Sequence, residues 1–239
     1  MENDKIVGIH QPNFMPWLGY FYKIWQSDVF VFLDDVQIIK TGSSYTNRVE
    51  INNNGKRTYL TVPIKKSKDF SLINETRIIN NGWKKKALKT LQQNYSKADF
   101  FNSYKDFIFE LISFENDNLS EYNIHFITAV SQKLDFDTNL VKSSDFKIEA
   151  KSTERLIELV KKVEGKVYLS GSGGDKYQEK EMFDKNGIKL IYNKLPEFQY
   201  KQIKTDEFIP GLSIIDAIFN IGFEGLKNEL FIKNEKDKL

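Results

Sequence analysis

His10 is the first residue of this sequence whose type and position could do chemistry. It follows a short apolar segment, Ile6–Ile9, and precedes a proline-containing loop and a stretch with helical spacing. An imidazole at the end of a strand can donate to a phosphate oxygen or act as an acid or base near neutral pH. It can also be satisfied by the carbonyl groups of its own loop. Because two prolines, Gln11 and Trp17 crowd the same short window, we expect His10 to be functional.

A second candidate is the glycine-rich segment Ser170-Gly171-Ser172-Gly173-Gly174, which follows a predicted strand and precedes a predicted helix. Glycines allow a tight turn and bring backbone N–H groups close to a phosphate or carboxylate. The segment matches neither a Walker A loop nor a GxGxxG loop. It is therefore equally consistent with a phosphate-binding loop and with a strand-to-helix turn that binds nothing.

Two adjacent carboxylates, Asp34 and Asp35, end the second apolar segment, Asp28–Leu33. In that position they could orient an amine in catalysis or hold Mg²⁺, and they could equally cap a turn. Arg48 lies in a predicted β-hairpin with Asn-Asn-Asn-Gly at its turn. Its guanidinium could clamp a phosphate through two hydrogen bonds, or could simply be solvated.

Composition excludes several classes of protein and site. The 35 basic and 33 acidic residues leave a formal net charge of +2, which gives no reason to expect nucleic acid or an anionic membrane as a partner. Cysteine is absent and there are two histidines, so disulfides, thiolate zinc sites and multi-histidine metal sites are excluded. No apolar run approaches the roughly 18 residues of a membrane span, and no signal peptide is visible. We therefore expect a cytoplasmic protein.

The elements that must position these residues follow an α/β pattern. The two continuous apolar segments favour strands that are buried on both faces, as in a parallel sheet. Residues 75–135 carry three apolar faces at helical spacing, and strands alternate with helices again after residue 150. We expect an α/β fold with a mostly parallel sheet of Rossmann-like or nucleotidylyltransferase-like type, a β-hairpin and a helical subdomain. The predicted domains are an α/β core over 1–70 and 140–239, which carries the ligand site, and a helical subdomain over 71–139 packed on that core.

The order of strand, histidine loop and helix resembles that of nucleotidylyltransferases and class I synthetases. The second histidine of their HxGH-type motif is missing here, and the helix begins instead at Pro16-Trp17-Leu18-Gly19. The sequence thus departs from those enzymes at one of their motif positions.

Several segments together resemble the WbqC-like family from about residue 6 to residue 222. The matching stretches are IHQPNFMPWLGYFYKI (9–24), SDVFVFLDDVQ (27–37), NRV (47–49), YLTVPI (59–64), the stretch from Trp83 to Tyr95, YLSGSGG (168–174) and LSIIDAIFNIG (212–222). A histidine that often follows the Trp83 position in this family is replaced by Ala87. A role for that family histidine is therefore not expected here.

The resemblance implies an association with bacterial O-antigen or capsule sugars, many of which are amino sugars carried on nucleotides. From the residues themselves we predict an enzyme that modifies a nucleotide-linked amino sugar, most simply by N-acyl or aminoacyl transfer, with catalytic roles for His10, Asp34 and Asp35. Substrate-binding roles fall on Gln11, Asn13, Trp17, Asn47, Arg48, Tyr168, Ser170, Gly171, Ser172, Gly173 and Gly174. The alternative is a non-catalytic nucleotide- or carbohydrate-binding partner in a polysaccharide assembly complex. The sequence specifies no cofactor, and it is compatible with a homo-oligomer.

Overall fold

The structure is a computed structural model that describes residues 4–38, 45–65, 71–171 and 179–232. Within these ranges, the sheet strands are β1 (Ile6–His10), β2 (Val29–Phe32), β5 (Asn139–Lys142), β6 (Val167–Ser170) and β7 (Lys189–Tyr192), and a separate hairpin is formed by β3 (Arg48–Asn53) and β4 (Lys56–Thr61). The helices in these ranges are α1 (Leu18–Trp25), α2 (Trp83–Tyr95), α3 (Phe101–Ser113), α4 (Leu119–Lys133), α5 (Ser152–Lys162), α6 (Lys180–Lys185) and α7 (Ile214–Leu226).

All five sheet strands are parallel, in the order β5-β2-β1-β6-β7. The chain therefore builds outward from β1 through β2 to β5, and then returns to the other side of β1 for β6 and β7. In open sheets of this kind, ligands bind beyond the carboxyl ends of the strands where the order reverses. That point lies between β1 and β6. The predicted α/β fold with a parallel sheet and a hairpin is confirmed.

Alternation along β1 determines which way His10 faces. Val7 and Ile9 pack with α5 and α6 on one face of the sheet, so Gly8 and His10 face α1 on the other. At Gly8 a Cβ atom would come within 2.4 Å of the Oγ of Ser27, which follows α1, so only glycine permits this close approach of the end of the helix to the sheet. The result is that α1 lies directly over the end of β1.

The helical segment over 71–139 belongs to the same hydrophobic cluster as α1 and α7. That cluster contains buried aromatic residues of α1, the sheet, α3, α4 and α7, including Phe21, Phe30, Phe101, Phe126 and Phe219. The division of the chain into an α/β core and a helical subdomain over 71–139 stays a prediction.

The apolar motif at the start of α7 contains one buried carboxylate, that of Asp216. This buried carboxylate accepts hydrogen bonds from the Tyr95 hydroxyl and the Tyr200 hydroxyl, each at 2.9 Å, and from Gln202 Nε2 at 2.9 Å. Burial raises the pKa of Asp216, while these hydrogen bonds oppose the change. The network ties α7 to α2 and to the segment that follows β7.

No helix within the described ranges combines the length and the apolar character that crossing a membrane requires.

Candidate functional site

His10 lies at the carboxyl end of β1, in contact with the first turns of α1. Its Nδ1 is 3.1 Å from the carbonyl oxygen of Gln11, and its ring meets the ring of Tyr20 edge-on, with centroids 4.9 Å apart. A carbonyl oxygen can only accept a hydrogen bond, so Nδ1 carries the proton and Nε2 is left as an acceptor. The Tyr20 hydroxyl donates to the same carbonyl oxygen at 3.0 Å and fixes the loop from which the ring projects.

Lys23 lies beside His10, between α1 and the sheet. Its side chain shares a helix face with Tyr20, three residues earlier, and its Nζ donates to the carbonyl oxygen of Ile9 at 2.7 Å. The residue is only 2% exposed. Among the residues that the structure describes, no carboxylate lies within ion-pair distance of this amine.

Both groups have pKa values displaced toward the neutral form. Burial lowers the pKa of Lys23 from 10.5 to about 7. Burial, followed by the charge of Lys23, lowers the pKa of His10 from 6.5 to about 4, with the Gln11 hydrogen bond acting in the opposite direction. At pH 7 the imidazole is therefore neutral, its Nε2 has no hydrogen-bond partner among the residues that the structure describes, and the amine beside it loses its proton far more readily than an exposed lysine.

The loop between β1 and α1 is held by residues distant in sequence. Asn123 of α4 donates from Nδ2 to the carbonyl oxygens of Pro12, at 2.8 Å, and Thr46, at 2.7 Å. The Ser213 hydroxyl donates to the carbonyl oxygen of Met15 at 2.7 Å, and Met15 has a left-handed φ of 42°. A buried non-glycine residue in this conformation is strained, and these contacts keep it there. Asn13 and Trp17 are thereby presented from a rigid loop.

The ends of β6 and β7 form the other wall of the site. Gly8 pairs with Leu169, so continuing the register places His10 level with Gly171. A side chain at Gly171 would meet no atom of the described residues within 4 Å, while Ser170 is buried and bonds to the Gly171 carbonyl. Asn193 donates from its backbone to Ser170 and from Nδ2 to Gly19, at 3.0 Å. Its Oδ1 is buried without a hydrogen-bond partner in the described part of the chain. Ser172, Gly173 and Gly174 lie outside the described residues.

The two carboxylates after β2 are engaged by protein donors. Asp34 accepts from the Ser143 hydroxyl at 3.1 Å, from the Ser144 backbone at 3.0 Å and from the Ser144 hydroxyl at 2.8 Å. Asp35 accepts from Ser143 and forms an ion pair with Arg155. These contacts join the end of β2 to the segment after β5. The described residues contain no group of three or more side chains able to hold a metal ion.

The remaining predicted residues divide between two locations. Asn47 donates to the Val62 carbonyl at 3.0 Å, and the Arg48 guanidinium lies 4.5 Å from the centre of the Tyr59 ring. Both adjoin Thr46, whose hydroxyl is 3.5 Å from the Gln11 side chain. In contrast, the Tyr168 ring is buried in the sheet core, stacked 5.3 Å from Phe183.

The structure thus brings together His10, Gln11, Ser170 and Gly171 at the switch point, with Asn13 and Trp17 on the adjoining loop and Asn47 and Arg48 alongside. It adds three residues that the sequence analysis missed, namely Tyr20, Lys23 and Asn193. One signal for Lys23 was available, since it is the only Lys, Arg, Asp or Glu between residues 6 and 27. Nothing in the sequence around Asn193 singles it out.

Fold and site define a doubly wound α/β protein with a neutral histidine at its switch point. The chain belongs to the WbqC-like protein family, whose model matches residues 11–228. This family is linked to polysaccharide biosynthesis. The chain is also similar to the uncharacterized protein Rv1507c of Mycobacterium tuberculosis, with 32% identity over 223 residues that cover 92% of this chain and 95% of that protein. No solved structure gives a significant match.

Proposed function

We propose that the protein is an enzyme of bacterial surface-polysaccharide biosynthesis that forms an amide at the amine of a nucleotide-linked amino sugar. The observation that carries this proposal is the placement of His10 at the switch point, with Nδ1 bonded to Gln11 and Nε2 free to accept. The link of the family to polysaccharide biosynthesis supports the choice of a sugar substrate.

Amide formation requires a proton acceptor next to the attacking amine. The amine nitrogen attacks an acyl carbon that is activated by a thiol or phosphate leaving group, a C–N bond forms, and the leaving group departs with the electron pair of its bond. The proton of the amine passes to Nε2 of His10 and then to the leaving group. A neutral imidazole is the form that this transfer needs, and His10 is neutral at pH 7. Its lowered pKa also makes it a weaker base, which favours release of the proton to the leaving group.

The residues around His10 support the other parts of such a substrate. The open space at Gly171 would let a phosphate oxygen approach the backbone after β6. The Oδ1 of Asn193, which has no hydrogen-bond partner among the described residues, offers an acceptor at the same edge of the sheet, whereas the buried amine of Lys23 acts on His10 through its charge. The catalytic role of Asp34 and Asp35 stays a prediction, and in this scheme they would be positioning residues that act through the segment they hold.

One observation favours the alternative, a non-catalytic nucleotide- or carbohydrate-binding partner. Both carboxylates that the sequence nominates for catalysis are hydrogen-bonded to serine or arginine side chains, as in a structural role. That alternative requires ligand binding without turnover.

The two proposals are separated by an amide-forming assay. The purified protein is incubated with nucleotide-linked amino sugars and a panel of acyl and aminoacyl donors, with and without ATP and Mg²⁺, and the products are analysed by mass spectrometry. An enzyme yields a nucleotide sugar heavier by the acyl group. Tight binding of the nucleotide sugar with no product from any donor would instead support the binding partner.

A further inference from the structure

A separate cavity opens between the loop after β1 and the hairpin. Its volume of about 410 Å³ lies within the usual range of ligand pockets, roughly 300–1,000 Å³. Trp17 and Tyr45 line it and are 41% and 45% exposed, whereas most aromatic side chains of this protein are in its core. Asn13, Glu50 and Arg57 supply its polar groups.

The cavity is built by contacts that fix its aromatic walls. The Phe14 backbone donates to the Tyr45 carbonyl at 3.0 Å, which joins the segment before the hairpin to the loop after β1. Trp17 forms a backbone bridge to Ser213, and its six-membered ring lies against Gly19, where a Cβ atom would come within 2.3 Å of it. The indole is therefore held in place before any ligand binds.

The charges of the cavity do not favour a phosphate. The guanidinium of Arg57 pairs with Oε2 of Glu50, and its other terminal nitrogen donates to the Pro210 carbonyl at 2.6 Å. The positive charge is thereby neutralised. The second carboxylate oxygen of Glu50 and the side-chain amide of Asn13 make no hydrogen bond within the described ranges, so they are available to a neutral ligand that carries N–H and C=O groups.

We propose that this cavity binds the base of the nucleotide, stacked on Trp17 with its polar edge toward Asn13 and Glu50. The inference rests on the proposed function, which divides the ligand into three parts. The sugar must lie at His10 because its amine reacts there, and the diphosphate needs backbone N–H groups or net positive charge. The base is the uncharged, flat part that remains, and stacking on an aromatic ring is a general means of holding a base.

The test measures binding of UMP, dTMP, CMP, AMP and GMP by calorimetry, with N-acetylglucosamine as a base-free competitor. We expect at least one nucleotide to bind, and Trp17→Ala to weaken that binding by about 10-fold or more. Trp17→Phe should restore most of the affinity because it keeps an aromatic face. Tyr45→Ala removes a second aromatic side chain from the same cavity, and it leaves the backbone hydrogen bond between Phe14 and residue 45 in place. Phe100→Ala, an exposed aromatic residue that lines a different cavity, is the matched control and should bind like the parent.

Three results would overturn the base subsite. They are no nucleotide binding, an affinity of the Trp17→Ala and Tyr45→Ala variants equal to that of the parent, and displacement of the nucleotide by N-acetylglucosamine. These outcomes are distinct from failure of the proposed function. Binding that depends on Trp17, combined with no amide product, would retain the subsite and reject the enzyme. Amide formation with an unchanged KM for the nucleotide sugar in Trp17→Ala would retain the enzyme and reject the subsite.

Discussion

The amine of Lys23 lies 2.7 Å from the carbonyl oxygen of Ile9, the residue that immediately precedes His10. A buried lysine and a half-buried histidine therefore share one end of β1. Because burial disfavours both charged forms, and because the charge of Lys23 further disfavours protonation of His10, the site holds a neutral imidazole at physiological pH.

Lys23→Met should change how stability depends on pH. The pKa of Lys23 falls from 10.5 in the unfolded chain to about 7 in the fold, so between these values the unfolded chain binds more protons and stability rises with pH. From pH 7 to 9.5 this contribution amounts to about 3 kcal/mol. Denaturant unfolding at the two pH values should show that rise in the parent and lose it in Lys23→Met. Lys85→Met, an exposed residue of α2, should keep the slope of the parent, and a parent without any rise would contradict the buried amine.

The protonation state of His10 can be observed directly. We expect ¹⁵N-labelled histidine spectra to show His10 protonated on Nδ1 and unprotonated on Nε2 at pH 7, with titration near pH 4. There are two histidines, so the spectrum of His10→Asn assigns the signal. Since the pKa is lowered in the fold, this residue should also cost stability as the pH falls from about 6.5 toward 4. An Nε2-protonated tautomer, or a midpoint near 6.5, would disagree with the geometry.

Asp34→Ala should destabilise the fold. The change removes the acceptor for the Ser144 hydroxyl and for the Ser144 backbone in a buried environment, whereas the Ser143 hydroxyl keeps Asp35 as its acceptor. Loss of hydrogen bonds to a buried charged group predicts a decrease of about 2–4 kcal/mol in the free energy of unfolding. Asp145→Ala, at an exposed acidic residue of the segment after β5 that Asp34 contacts, serves as the control. If Asp34→Ala unfolds at the denaturant concentration of the parent, the carboxylate does not hold this segment.

Arg48→Lys should weaken nucleotide-sugar binding while leaving stability nearly unchanged. Lysine keeps the charge but loses the planar fork that can bind phosphate through two nitrogens and stack on Tyr59. We expect a loss of roughly 1–3 kcal/mol in binding free energy, measured by calorimetry. Arg77→Lys, whose parent arginine pairs with Asp117 in an exposed ion pair, should bind normally. Equal affinity in Arg48→Lys would mean that Arg48 acts only as a partner of Tyr59.

The strands β1 and β2 could be predicted from the sequence because they are continuous apolar runs, and His10 could be predicted because it ends one of them. The edge strand β5 could not, because it begins and ends with the polar residues Asn139 and Lys142 and is only partly buried. Lys23 could not, since a lysine in a helix ordinarily extends its amine into water. The same limit applies to Asp34 and Asp35. Their partners Ser143, Ser144 and Arg155 lie 108 to 120 residues away, and only the pairing of β2 with β5 brings them together. Local pattern identifies the edge of the sheet, whereas the contacts of each carboxylate depend on tertiary packing.

The most direct test of the account is the turnover of His10→Asn in the amide-forming assay. Asparagine keeps a similar size and a hydrogen-bonding end but removes the proton acceptor, and such groups contribute about 10²- to 10⁴-fold to rates. We predict that His10→Asn folds with an unchanged melting profile near pH 7.5, binds the nucleotide sugar within a few-fold of the parent, and loses at least 100-fold in kcat. If His10→Asn forms the amide product at the rate of the parent, His10 is structural and the proposed mechanism is wrong at its centre.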